Sequence, residues 1–389
     1  MSNKPQLRFS GYTDNWKPRK IIDVSEVIGG GTPSTNNSDY WDGDINWYAP
    51  AEIGAQVYVK NSMRKITKLG LEKSSAKLLP PHKTVLFTSR AGIGNTAILC
   101  TPAATNQGFQ SMVLHDDINP YFVFSMTNMI KAKAKRVASG STFSEISGKM
   151  LGNLEFMFPS NDEQKKIGAY FEFLDSIITF NQRKLEKLQN IRKSHLEKMF
   201  PKEGEVYPEI RFRGFTDAWK PYKISDVANR FDNLRVPVSA NLRIPGTTPY
   251  YGANGIQDYV DGYTHKGEFV LVAEDGANDI KNYSVNYASG KIWVNNHAHV
   301  LQAKKDISDN KFLTYVIGRT NMKKYIVGGG RAKLNAEVMM DIKLIMPDYP
   351  EQVEIGEYFS TLDSMINTYQ LKLEKLKQIK QALLSKMFV

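Results

Sequence analysis

The sequence predicts an α+β protein: two mixed α/β globules with substantial β content, joined by two long helices that form a coiled coil. Three observations carry this. The string RFSGYTDNWKP (residues 8–18) returns as RFRGFTDAWKP (residues 211–221). The segment EQKKIGAYFEFLDSIITFNQRKLEKLQNIRKSHLEKMF (163–200) aligns without gaps to EQVEIGEYFSTLDSMINTYQLKLEKLKQIKQALLSKMF (351–388). Residues 28–150 and 231–337, between those matched ends, share little. A chain of 389 residues has room for two domains of about 150 residues and the helices besides. The order is therefore globule (1–160), helix (161–200), globule (201–349), helix (350–389): like frames around unlike contents.

The helices follow from periodicity. In the first, Ile167, Phe171, Leu174, Ile178, Asn181, Leu185 and Leu188 step by alternating four and three, continuing through Arg192, His195 and Met199. The second steps through Ile355, Phe359, Leu362, Ile366, Tyr369, Leu373 and Leu376, then Lys380, Leu383 and Met387. That alternation has the 3.5-residue period of a coiled-coil seam. Neither segment holds an interior proline; Pro159 and Pro201 bracket the first, and Pro350 sits where a first-turn proline is tolerated. Arg192, His195 and Lys380 are expected to drift to the rim of the seam, whereas Asn181 either fixes register or drifts likewise. The pair closes on itself or on outside partners. About 35 helical residues span roughly 50 Å, against roughly 35 Å for a turn of B-DNA. Two heads held on such a rod would be spaced by a ruler.

The globules read as β-rich heads. Both carry short apolar runs broken by Asn-Gly, Asp-Gly and Gly-rich turns. AGIGN (91–95), following TVLFTSR, reads as a hairpin turn rather than a nucleotide loop, and NPYF (119–122) as a loop entering a helix. No G-x-x-x-x-G-K-[ST] occurs, which argues against a phosphate-loop motor. The close pair His297 and His299 has no cysteine or carboxylate cluster beside it in sequence, so a metal site is not expected. Nothing assembles a nucleophile, a base and an oxyanion site. The chain reads as a binder, and the formal charge of +11 favours a polyanion, nucleic acid first. The single cysteine, Cys100, and the lack of an apolar run long enough to span a bilayer fit a cytoplasmic protein.

Candidate DNA contacts follow from chemistry. Arg reads guanine, and Asn or Gln reads adenine, by paired hydrogen bonds, while hydroxyls and backbone amides hold phosphate. The first head offers Thr32, Ser34, Asn36 and Asn37 in GGGTPSTNNSDYWDGDINWYAP (29–50), then Ser89 and Arg90, then Asn106 and Gln107. Trp41 and Trp47 read as core. The second head offers Tyr251, Asn254, Gln257, Asn278, Asn296 and His297, with Arg331 and Lys333 as the phosphate pair after a glycine run.

Taken together, GGGTPSTNNSDYWDGDINW, SSAKLLPPHKTVLFTSRAGIG and TNQGF in the first head resemble the specificity subunit of type I restriction-modification enzymes. YYGANGIQDYVDGYTHKGEFVLVAEDGAN and WVNNHAH carry the likeness in the second head, and the two EQ..IG.YF..LDS helices supply its frame. The resemblance implies two target-recognition domains, each reading half of a bipartite target in double-stranded DNA, joined by an antiparallel helix pair. It implies a non-catalytic chain on which methyltransferase (modification) subunits dock, two of them, with motor-endonuclease (restriction) subunits joining. S-adenosylmethionine, ATP and Mg would then be bound by those partners and no cofactor by this chain. Rival readings are a stand-alone DNA methyltransferase or nuclease, and a basic coiled-coil scaffold.

Overall fold

A computed structural model describes residues 4–90, 92–138, 145–275, 277, 279, 282–327 and 333–389. The chain forms two compact units, and the division cuts through both long helices. One unit is Met1–Gln182 with Leu371–Val389; the other is Arg183–Gln370. Each globule is thus completed by half of the helix that follows it and by half of the other.

In the first unit a five-stranded sheet runs in the order Ser25–Gly29, Gln110–Leu114, Thr84–Phe87, Thr96–Leu99, Tyr58–Val59, beside a three-stranded sheet built on Trp41–Tyr48. Strand Thr84–Phe87 is buried throughout because both of its faces are covered. Val85 and Phe87 join the cluster that includes Ile167 and Phe171, while Leu86 alternates into a second one with Tyr48 and Phe109. Thr84–Phe87 pairs antiparallel with Thr96–Leu99, so the glycine pair of AGIGN closes a hairpin loop as its sequence indicates. In the second unit a six-stranded sheet runs Ala228–Arg230, Ala298–Ala303, His265–Ala273, Val285–Val294, Pro245–Gly252, Gly255–Val260. Its central strand alternates likewise: Val270 and Val272 face the helix-side cluster, Phe269 and Leu271 the other.

The repeated string near each start now has a physical meaning. Trp16 and Trp219 are fully buried. The prolines that follow lie in short strands, Lys17–Lys20 and Lys220–Lys223, which pair antiparallel with the strands Glu155–Phe158 and Lys343–Met346 just ahead of each long helix. Arg8 grips Glu163 with two hydrogen bonds of 2.7 Å, and Arg211 grips Glu351 with two of the same length. Both carboxylates are buried, and an unpaired charge there would be costly, so arginine's bidentate fork is the fitting partner.

The long helices, Asn161–Lys198 and Tyr349–Met387, each carry that Glu in the first turn. Gln164 accepts from the Asn119 N–H and donates to the Pro159 carbonyl; Gln352 does the same with Asp309 and Pro347. Asn119 and Asp309 are themselves N-caps of head helices Pro120–Ser125 and Asn310–Arg319. The glycine of each IG pair permits this approach. A Cβ on Gly168 would lie 2.2 Å from Asn119 Oδ1, and one on Gly356 2.5 Å from Asp309 Oδ1. Gly168→Ala is therefore expected to destabilise the first unit by about 1–3 kcal/mol through overpacking; the check is urea unfolding beside the exposed control Gly29→Ala, whose added Cβ would meet nothing beyond its chain neighbours closer than 3.6 Å.

Within each unit the two helix segments run antiparallel. In the first, Ile167 and Phe171 share a cluster with Met387 and Phe388, while Asp175, farther along, meets Lys380 at 2.5 Å. In the second, Phe359 packs on Phe200, Tyr358 stacks on His195, and Asp363 pairs with Arg192. Ile167, Phe171, Leu174, Asn181, Ile355, Phe359, Leu362, Ile366 and Leu373 are buried, and Ile178, Leu185, Leu188, Tyr369 and Leu376 half-buried, as a seam requires. The expectation for Arg192, His195 and Lys380 needs correction. They are half-buried and engaged, because each LDS motif sets an aspartate opposite a cation: Asp175 for Lys380 and Asp363 for Arg192. Each aspartate also accepts a head tyrosine's hydroxyl, from Tyr121 or Tyr315, at 2.8 Å. Burial and the neighbouring carboxylate push both phenols well above their ordinary value. Asn181 is 1% exposed, bonded through Nδ2 to the Ile177 carbonyl, and so belongs to the seam rather than its rim.

Candidate nucleic-acid interface

The loops singled out in the first head meet at one place. Trp47 donates its indole N–H to the Gly31 carbonyl and Trp41 to the Ser34 carbonyl, tying the glycine-rich loop to the core. The two rings are buried and pack edge to face at 5.2 Å, with the Arg64 guanidinium 3.6 Å above Trp41. Gly30 passes so close to the TNQGF loop that a Cβ would lie 1.9 Å from the Asn106 carbonyl oxygen, and Thr32 Oγ1 bonds Gln107 Oε1. Arg90 is half-exposed beside Gly108.

A chain of hydrogen bonds holds these segments in register. The Asn106 N–H donates to the Tyr48 carbonyl (3.0 Å), and its Oδ1 accepts from the Gly108 N–H (2.8 Å). The Gly108 carbonyl accepts from Ser89 (2.8 Å), whose own carbonyl accepts from Ile146 (3.0 Å). The second head repeats the set on other residues. The Asn295 N–H donates to Tyr251 (3.1 Å), and its Oδ1 accepts from the His297 N–H (2.8 Å). The His297 carbonyl accepts from Glu274 (2.9 Å), whose carbonyl accepts from Leu334 (2.7 Å). One frame thus recurs, with Ser89 matched to Glu274, Arg90 to Asp275, Gln107 to Asn296 and Gly108 to His297.

A polar layer underlies the second frame. Buried His299 bonds Asp232 through Nδ1 (2.7 Å) and the Leu334 carbonyl through Nε2 (2.9 Å). Glu274 takes Arg235 at 2.6 Å and Lys333 at 2.9 Å. Burial alone would raise Asp232, yet bonds from His299 and the Val300 N–H outweigh it and leave its pKa below the ordinary carboxylate value. Burial likewise opposes Lys333 and Arg235 at Glu274, with the same outcome. His297 stands outside this layer, its Nδ1 2.6 Å from Asp275 Oδ1. The two histidines of NNHAHV therefore serve different partners.

Several sequence candidates land elsewhere. Ser89 is 0% exposed and contributes its backbone, not its hydroxyl; Tyr251 is buried in an apolar cluster. Burial removes both side chains from any base edge, which corrects that expectation. Ser34 serves through the carbonyl that Trp41 holds, and Asn37 caps the turn Ser38–Tyr40. Asn36 is exposed. Asn254 lies in the two-residue turn between strands Pro245–Gly252 and Gly255–Val260, and Gln257 on the second of them; neither makes a bond of the frame. Lys333 is exposed and paired with Glu274 at 2.9 Å, so a phosphate there would compete with that carboxylate. Asn278 and Arg331 lie outside the described residues. Asp275 and Glu274 went unremarked as site residues; their signal was the position of AEDGAN in the second head, matching TSRAG in the first.

No helix among the described residues is long and apolar enough to cross a membrane. Comparison with known proteins gives a consistent picture. A putative type I restriction enzyme specificity subunit of Haemophilus influenzae, S.HindORF215P, is 42% identical over 164 residues, covering 42% of this chain and 42% of that protein. This chain thus spans about two fifths of that relative's length in the match. The type I restriction enzyme MjaIX specificity subunit of Methanocaldococcus jannaschii is 26% identical across 96% of this chain and 92% of its own. The crystal structure of the type I restriction-modification system S subunit from M. genitalium has the same fold, with a TM-score of 0.70, 16% identity and 99% of both chains covered. The family described as type I restriction modification DNA specificity domain matches residues 13–190 and again residues 216–381, and the chain belongs to that family.

Proposed function

We propose that this chain is the sequence-specific DNA-recognition subunit of a type I restriction-modification complex, each head reading one half of a bipartite target in double-stranded DNA. The observation that carries it is the duplicated family domain: two heads keep one hydrogen-bonded frame and present different polar side chains on it. A charge of +11 supplies the sequence-independent attraction to phosphate. The antiparallel helices set the spacing of the half-sites and dock two methyltransferase subunits, which motor-endonuclease subunits join. Methyl transfer and cleavage belong to those partners, as do S-adenosylmethionine, ATP and Mg; this chain is non-catalytic and works in the cytoplasm.

The test is a head exchange read by mapping methylated adenines across the genome of a host carrying the system. Replacing residues 222–337 with the matching part of a related subunit should change one half of the methylated sequence. The other half and the spacer length should stay, because the first head and both helices are untouched. A change in both halves together, or a single undivided target, would count against the reading.

A further inference from the structure

The geometry points to the matched hydrogen-bonded frame as the place where each head reads its bases, with Arg90 and Gln107 as specificity-determining residues of the first head and Asn296 and His297, positioned by Asp275, as those of the second. This deepens the proposed function and rests on it.

The frame's backbone bonds agree between heads to within a few tenths of an ångström, yet two of its three outward positions differ in chemistry. Arg90, a pure donor, stands where Asp275, a pure acceptor, stands in the other head. Gln107 and Asn296 are both exposed amides, one methylene apart in reach. Gly108 offers no side chain where His297 offers an imidazole. Positions that only support a fold keep their partners when a domain duplicates, as Arg8–Glu163 and Arg211–Glu351 do. Exposed polar positions that diverge on a fixed backbone are suited to discrimination, since the frame fixes each side chain's origin and chemistry sets what it accepts.

The chemistry assigns partners. The Arg90 fork matches the O6 and N7 acceptors of guanine, and the Gln107 and Asn296 amides match N6 and N7 of adenine. Thr32 bonds Gln107 Oε1 and so orients that amide. In the second head the Asp275 carboxylate accepts from His297 Nδ1, which fixes the tautomer and leaves Nε2 as the nitrogen for a base edge. Asp275 therefore acts through His297, and a carboxylate at that position has no donor for guanine's O6 and N7 acceptors.

The experiment uses the full chain assembled with its methyltransferase subunits, comparing variants by methylated-adenine maps and by competition between cognate and single-mismatch duplexes. Arg90→Ala and Arg90→Lys should both relax one guanine position of the first half-site by roughly tenfold or more. Lysine keeps the charge and any phosphate attraction, so a parallel loss in both variants isolates the fork. Asn296→Ala and His297→Ala should relax the second half-site only. Asp275→Asn should do the same with the melting temperature held, which a purely structural role would not give. Wild-type discrimination retained by Arg90→Lys and Asp275→Asn would overturn the inference while leaving a split wild-type target intact; a wild-type target that is not split would overturn the proposed function itself.

Discussion

Glu163→Ala is expected to destabilise the first unit by about 3–5 kcal/mol, far more than a surface ion pair would. The carboxylate is 0% exposed and accepts both arms of Arg8, itself only 13% exposed at the side chain. Removing it strands a guanidinium whose third nitrogen, Nη1, already lacks a partner. Arg8→Ala should cost a comparable amount by stranding the carboxylate, and the double variant less than the sum, since it leaves neither charge alone. Glu351→Ala should reproduce the effect in the second unit through Arg211. The measurement is chemical denaturation of the four variants; a loss below about 1 kcal/mol for Glu163→Ala would show that the pair is solvated and the repeated RF string has another cause.

That pair also shows what could be read in advance. The seams were legible because a 3.5-residue period is local information: Ile167 to Leu188 and Ile355 to Leu376 announce themselves within a few turns. The repeated entry string and the two matching helices were legible from identity alone. What Arg8 does was not, because Glu163 lies 155 positions away and no local rule pairs them. Asp275 was missed for the same reason; its worth appears only when the His297 turn, 22 residues on, folds back against it. Trp41 and Trp47 were legible as core, since large aromatics between short strands rarely find a better place, but their indole bonds, to Ser34 and Gly31 respectively, depend on the loop's path. Ser89 and Tyr251 misled because a polar side chain in a loop and a hydroxyl at a strand end read as exposed, whereas Ser89 is fully buried and Tyr251 packs on Phe269, Leu271 and Val294. The rim expectation for Arg192 and Lys380 failed because the opposing aspartate sits on the other helix, and a single helix's pattern cannot show who faces it.

The division of the helices between units leads to a second large effect. Phe388→Ala, at the far end of the chain, should unfold the first unit's core rather than the second's. Phe388 packs on Trp16, Phe122 and Phe171 with ring centroids 5.4–6.1 Å apart, all of them residues of the first half of the sequence. Phe200 fills the matching place in the second unit, against Trp219, Phe312 and Phe359 at 5.7–5.9 Å. Truncating a buried phenylalanine costs about 3–5 kcal/mol, a large share of what a domain of this size has to lose. Hydrogen exchange localises the damage. Phe388→Ala should speed exchange in strands Thr84–Phe87 and Gln110–Leu114 and spare His265–Ala273; Phe200→Ala should do the reverse. Each head then depends on a residue from the helix that follows the other head, so neither globule is a complete folding unit when cut at its sequence boundary. If Phe388→Ala slowed or spared the first head and loosened only the residues around itself, the KMF ends would be fraying tips, and the helix halves would be ornaments on heads that fold without them.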